Sequence, residues 1–186
     1  MKTQNHFSLS IQAIVLGTVG LLLIPFIAMQ FTSEVNWGPA DFLIMGALLF
    51  GLGLSIKWLI DKSDNLVYRI AVAMALGTTF LLIWANLGVG LVGAGPNVPN
   101  VLYLSVVVIG LSGMFISRLK SAGMERTMYG VTLVILAITG TTLLMGFQNH
   151  ANSSIQEILL VNGIFAGLYL LAALLFRSVA RKQTEN

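Results

Sequence analysis

The side chains of this chain that could do chemistry are few, neutral and placed inside long apolar runs. Asn86 and Asn162 are the plainest cases. An amide facing hydrocarbon has no hydrogen-bond partners, so each is expected to point at another helix or a wet cavity. At about 100° per residue on a helix, Ala75, Thr79, Asn86, Gly90 and Gly93 share one small-and-polar face. Asn162, Ala166, Tyr169 and Ala173 form a second such face, and Thr78/Thr79 and Thr141/Thr142 add hydroxyls. Gly163-x-x-x-Gly167 matches the motif that lets two membrane helices approach closely. Such a set can serve as interhelical glue, at roughly 1–2 kcal/mol per amide bond. It can also line a path for a small neutral or weakly polar solute. Both asparagines are expected toward the same leaflet, which allows an Asn86–Asn162 contact.

Other chemistries lack their parts. The chain has no cysteine, which removes disulfides, thiolate metal sites and cysteine nucleophiles. His6 and His150 fall in hydrophilic segments expected on opposite sides, too far apart to hold a haem, and neither has a second ligand at metal spacing. No Asp, Glu or Arg stands mid-span, where proton relays and charged-substrate paths keep theirs. Serines and threonines have no buried base to activate them. Gly88-Val-Gly-Leu-Val-Gly93 spells the dinucleotide-binding string, but it closes an apolar span instead of following a strand. Glu34, Asp41 and Glu157 read as a solvated rim, and Trp58, Trp84 and Tyr103 as packing or interface residues. Asn152-Ser153-Ser154 fits a glycosylation sequon where a cell has that machinery. No catalytic, cofactor-binding or metal-ligating residue is expected, and the chain is not expected to be an enzyme.

The elements that must position these residues follow from composition. Of 186 residues, 56% are hydrophobic and 9% charged, far from the roughly one quarter charged in soluble domains. Apolar runs suited to a hydrocarbon core of about 30 Å lie at 11–31, 42–60, 70–92, 101–119, 128–147 and 158–176. The first exceeds a signal-peptide core and lacks a small-x-small cleavage site, so it is read as a span, with Pro25 inside it. Connections of about ten residues cannot build a core of their own, so a single transmembrane domain over 1–186 is expected. Lys2; Lys57, Lys62 and Arg69; Arg118, Lys120 and Arg126; and Arg177, Arg181 and Lys182 make up all ten Lys and Arg, and all fall on one side of a six-span arrangement. By the positive-inside rule both termini are then cytoplasmic. The formal charge of +3 reflects this topology and not nucleic-acid binding, because no basic patch is interleaved with aromatics.

The fold class expected is an all-α polytopic bundle of six transmembrane helices. Gly17-Thr18, Gly77-Thr78 and Gly140-Thr141 open similar fragments in the odd spans. Asp41/Gly51, Asn100/Gly110 and Glu157/Gly167 recur in the even ones. This suggests three repeated hairpins, although glycine, threonine and leucine are common enough in membrane helices to match by composition alone.

The run Trp84-Ala85-Asn86-Leu87-Gly88-Val89-Gly90-Leu91-Val92-Gly93, followed by Asn97-Val98-Pro99-Asn100-Val101-Leu102-Tyr103, resembles a motif of small bacterial multi-pass inner-membrane proteins. The motif is W-x-N-x-x-V-G-x-x-G, then N-x-x-N-x-x-Y. Members tend to carry acids in the intervening linker, whereas Ala94-Gly95-Pro96 is uncharged. The resemblance implies a bacterial cytoplasmic membrane location and similar topology, and it brings no activity. Taken with the residues, it leads to a non-enzymatic membrane component. Its partners would be the lipid bilayer and either copies of itself or a larger membrane complex. A channel or carrier for a small neutral solute is the alternative.

Overall fold

A computed structural model describes residues 10–93, 97–149 and 153–184. Lys2, His6, the 94–96 linker, His150 and Asn152 lie outside them. The described chain is all-helical, with six helical segments long and apolar enough to cross a membrane. Over the range read as one transmembrane domain, it packs as two compact units, Met1–Asp64 and Asn65–Asn186.

The first unit is a hairpin of α1 (Ile11–Phe31) and α2 (Pro39–Ile60). Ser10 caps α1 by accepting from the Ala13 amide at 3.1 Å. At the start of α2, Pro39 occupies the first turn and Asp41 Oδ2 accepts from the Gly38 amide at 2.7 Å. The two helices meet where Phe26 packs edge-on to Phe42 at 6.4 Å and where Gly53 leaves room for the Ile14 side chain. Most of the large apolar side chains of α1 face outward, as lipid contact allows.

The second unit holds α3 (Leu66–Gly88), a short α4 (Val98–Leu102), α5 (Leu104–Ser117), α6 (Ser121–Leu144), a 3-10 turn (Phe147–Asn149) and α7 (Ile155–Thr184). α7 packs between α3 and α6, and α6 between α7 and α5. The buried face of α3 is Tyr68, Ala71, Val72, Ala75, Thr78 and Leu82, a three-and-four spacing that forms one stripe. α6 and α7 bring Val131, Ile135, Ala172, Ala173 and Phe176 together at the centre. α5 meets α6 through glycines: Gly113 lies directly against Thr127, and Gly123 against Ser117.

The span limits differ from the hydropathy limits in instructive ways. The third span ends at Gly88 instead of 92, because Gly90 takes φ +82° and its amide donates back to the Ala85 carbonyl, a Schellman-type stop. The fourth is broken at Tyr103 into α4 and α5. The fifth starts at Ser121 rather than 128, so Glu125 and Arg126, expected in a loop, are helical. The sixth runs to Thr184, taking in Arg177, Arg181 and Lys182, which lie beyond the hydropathy limit of 176. Charge marks where hydrocarbon ends; a helix can continue into water beyond it, since its backbone bonds are satisfied internally.

Candidate functional site

A cluster of polar residues of the second unit lies at the end where α3 stops, α4 begins and α7 begins. The glycine turn makes this possible. Gly90 and Gly93 adopt φ of +82° and +60°, and a Cβ on Gly90 would stand 2.6 Å from Asn100 Nδ2. Only glycine lets the chain come this close here. In the space so opened, Asn100 Oδ1 accepts from the amides of Leu91 and Val92, each at 3.0 Å. Its Nδ2 donates to the Val92 carbonyl at 3.3 Å.

Asn97 organises the far side of the same turn. Its Oδ1 accepts from the Asn100 amide at 2.9 Å, capping α4, while its Nδ2 donates to the Val92 carbonyl at 2.6 Å. Pro99 occupies the first turn of α4, where an amide would have had no helical acceptor. Asn86, on the last turns of α3, donates to the Asn100 carbonyl at 2.9 Å.

Two bonds then tie this end to α7. Tyr103, at the break between α4 and α5, donates to Asn162 Oδ1 at 2.5 Å, and Asn162 Nδ2 donates to the Ile158 carbonyl at 2.9 Å. Both side chains are 1% exposed. Deeper along α3, Thr79 Oγ1 lies 2.8 Å from the Ala75 carbonyl and 2.8 Å from Tyr169 Oη on α7. Thr78 bonds within its own helix, to the Met74 carbonyl at 2.7 Å.

Several expectations need correction against this geometry. Gly90 and Gly93 are not on the α3 stripe with Ala75, Thr79 and Asn86, because the helix has already ended. Asn86 and Asn162 do not bond each other; the first reaches Asn100 and the second Tyr103. Thr141 and Thr142 do not join the cluster. Thr141 is exposed and Thr142 buried, and each donates to its own helix, to Ala137 and Ile138 at 2.9 and 2.7 Å. Gly163 and Gly167 face outward, with no other atom within 4 Å of where a Cβ would stand. By contrast, the face of Asn162, Ala166, Tyr169 and Ala173 is buried as a set.

Asn97, Asn100 and Tyr103 are the members of this hydrogen-bonded cluster that helical-face reasoning missed. The signal was their three-residue spacing around Pro99, which reads as an N-cap and its third helical residue. The arrangement is uncharged, and what it does chemically is saturate backbone groups that a broken span would otherwise strand. One acceptor escapes: Asn86 Oδ1 is buried with no hydrogen-bond partner. Gln148 Oε1 and Ser153 Oγ, in the connection from α6 to α7 at the same end, are likewise buried and unpartnered. Among the described residues no group of His, Asp or Glu side chains is placed to hold a metal ion. Compared with known proteins, the chain matches no family model, and no curated protein or solved structure matches it.

Proposed function

We infer that this is a non-catalytic membrane component, a rigid helical unit whose outward small-residue surface docks to another membrane helix. The observation that carries this reading is how the polar residues are spent. Tyr103 with Asn162, Thr79 with Tyr169, and Asn86 with the Asn100 carbonyl bond across helices, and Asn97 caps α4. Among the described residues no row of free polar groups is left along the inner faces of the second unit to escort a solute. The outward direction of Gly163 and Gly167, open on the surface of α7, supports docking outside the chain. A bacterial cytoplasmic membrane setting, with the Lys/Arg-bearing end of the bundle and both termini in the cytoplasm, accords with the charge distribution.

The test uses the cysteine-free background. Single cysteines at Thr79, Asn86, Asn162 and Ala166, treated from outside with a membrane-impermeant thiol reagent, are expected to stay protected while one at Ser154 labels. In parallel, Gly163→Leu with Gly167→Leu is expected to shift the detergent-solubilised protein to a smaller species. Labelling that runs inward from Asn86 along one face would overturn the dry-bundle reading. It would favour the second one, a path for a small neutral solute, which the orphaned Asn86 Oδ1, Gln148 Oε1 and Ser153 Oγ support by giving one end of the bundle free acceptors.

A further inference from the structure

One end of the second unit is short of hydrogen-bond donors. Among the described residues, the buried side-chain atoms without a partner are Asn86 Oδ1, Gln148 Oε1 and Ser153 Oγ. All three are neutral oxygens, and no buried side-chain nitrogen is left over with them. Asn86 lies in the last turn of α3, Gln148 in the 3-10 turn that follows α6, and Ser153 just before α7. Because α7 packs between α3 and α6, the three oxygens come one from each of three neighbouring helix ends.

The backbone adds to the same deficit. Val89 and Gly90 both donate to the Ala85 carbonyl, and Leu91 and Val92 to Asn100 Oδ1. The last carbonyls of α3, on Asn86, Leu87 and Gly88, therefore receive none of the four amides that follow the helix. Neither α3 nor α6 carries a basic residue in its last turn, so nothing on either helix offsets the negative pole there. The helices that start at this end are already served. Asn97 Oδ1 accepts at the head of α4 and Ser154 Oγ at the head of α7, whose first turn also holds the exposed Glu157.

The cations of the unit stand at the far end. Tyr68 donates to the Leu119 carbonyl at 2.8 Å, and Arg177 Nε lies 3.8 Å from Glu125 Oε1. These contacts bring together the start of α3, the α5–α6 turn, the start of α6 and the last turns of α7. Every Lys and Arg of the unit is on one of those segments.

The missing group is thus positive and needs only oxygens. Water brings two donors but asks for a donor in return, whereas a cation asks for acceptors alone. Divalent ions are held by carboxylates, and the one at this end, Glu157, is exposed. Neutral carbonyl oxygens at helix C-terminal ends are how membrane proteins hold sodium. We propose that this end of the second unit binds a monovalent alkali cation through Asn86 Oδ1, Gln148 Oε1 and Ser153 Oγ, at the C-terminal ends of α3 and α6. The site does not depend on what meets the Gly163–Gly167 face.

The test uses the full-length protein in an uncharged detergent, with sodium or potassium chloride as the probe and choline chloride holding the ionic strength constant. The melting temperature is expected to rise with the alkali cation and to do so at lower concentration than any general salt effect. Gln148→Leu and Ser153→Ala should each raise the concentration needed by about tenfold, and Ser153→Thr, which keeps the hydroxyl, should leave it unchanged. Variants that melt in choline as the unaltered protein does are folded, so a lost rise in them is a lost site. Equal melting of the unaltered protein in choline and in both alkali chlorides would overturn the proposal and leave these oxygens to water. A rise that survives Gln148→Leu with Ser153→Ala would overturn it by placing the cation elsewhere. A rise abolished by Glu157→Gln alone would overturn it by tracing the ion to an exposed carboxylate.

Discussion

The two units solve the same problem by different means. In the α1–α2 hairpin the side-chain hydrogen bonds of Ser10, Gln30, Thr32, Asp41 and Lys57 all close within four residues along the chain. The helices touch through aromatic edges and the Gly53–Ile14 contact. In the second unit, bonds from Tyr68 to Leu119, Tyr103 to Asn162 and Thr79 to Tyr169 join residues 51, 59 and 90 positions apart. Lipid is as apolar as a leucine core, so burial alone gives membrane helices little reason to choose one neighbour over another. Polar cross-links and close glycine contacts supply that choice. The second unit has both; among the described residues the first has the Gly53–Ile14 contact and aromatic edges and no side-chain hydrogen bond from α1 to α2.

This contrast can be broken by mutation. The largest effect is expected for Asn100→Leu, which strands the amides of Leu91 and Val92 in a buried turn. At about 1–3 kcal/mol for each unsatisfied donor, roughly 3 kcal/mol of stability should go, seen as a lower melting temperature in detergent. An unchanged melt would mean the asparagine cluster is not what holds that end together. Next comes Gly113→Leu, which drives a side chain into Thr127 and should cost about 1–3 kcal/mol by overpacking. Gly20→Leu in α1, where a Cβ meets nothing, should stay within about 0.5 kcal/mol. Similar losses at both glycines would show that the close approach at Gly113 is not what its substitution disturbs.

Smaller effects sharpen the comparison. Tyr103→Phe and Tyr169→Phe each remove one interhelical hydroxyl and leave the ring, so each should cost about 1 kcal/mol in the same melt. If neither moves it, shape and not polar bonding orders the second unit as well. The smallest change is expected in the first unit. Lys57 and Asp61 form an i,i+4 pair at 3.2 Å near solvent, and Lys57→Gln should lower stability by no more than about 0.5 kcal/mol, with the difference vanishing at high salt. A larger loss there would show that the hairpin depends on a polar contact after all.

Much of the fold was legible from residue types alone. The first span was placed at 11–31 and α1 is Ile11–Phe31; the second was placed at 42–60 and α2 ends at Ile60. Runs of apolar residues interrupted by charges leave little freedom, because every unpaired amide in hydrocarbon is costly and a helix pairs them all. The limits failed where a helix persists past the last apolar residue, as α7 does through Arg177 and Arg181, and where a backbone stop is written in a single glycine, as at Gly90.

For the polar cluster the division is sharper. That Asn86 and Asn162 must face inward followed from the sequence by itself, from the cost of a bare amide in lipid. So did the membrane and the number of spans. Only the tertiary structure decided that Asn162 pairs with Tyr103 and Asn86 with the Asn100 carbonyl, that Thr141 stays outside, and that Gly163 and Gly167 look away from the bundle. The reason is physical. Hydropathy reports the transfer of each residue into lipid and depends only on position along the chain. A helix that is apolar all round carries no signal of which face its neighbours will take, so its rotation, and with it every hydrogen-bond partner, is set by packing.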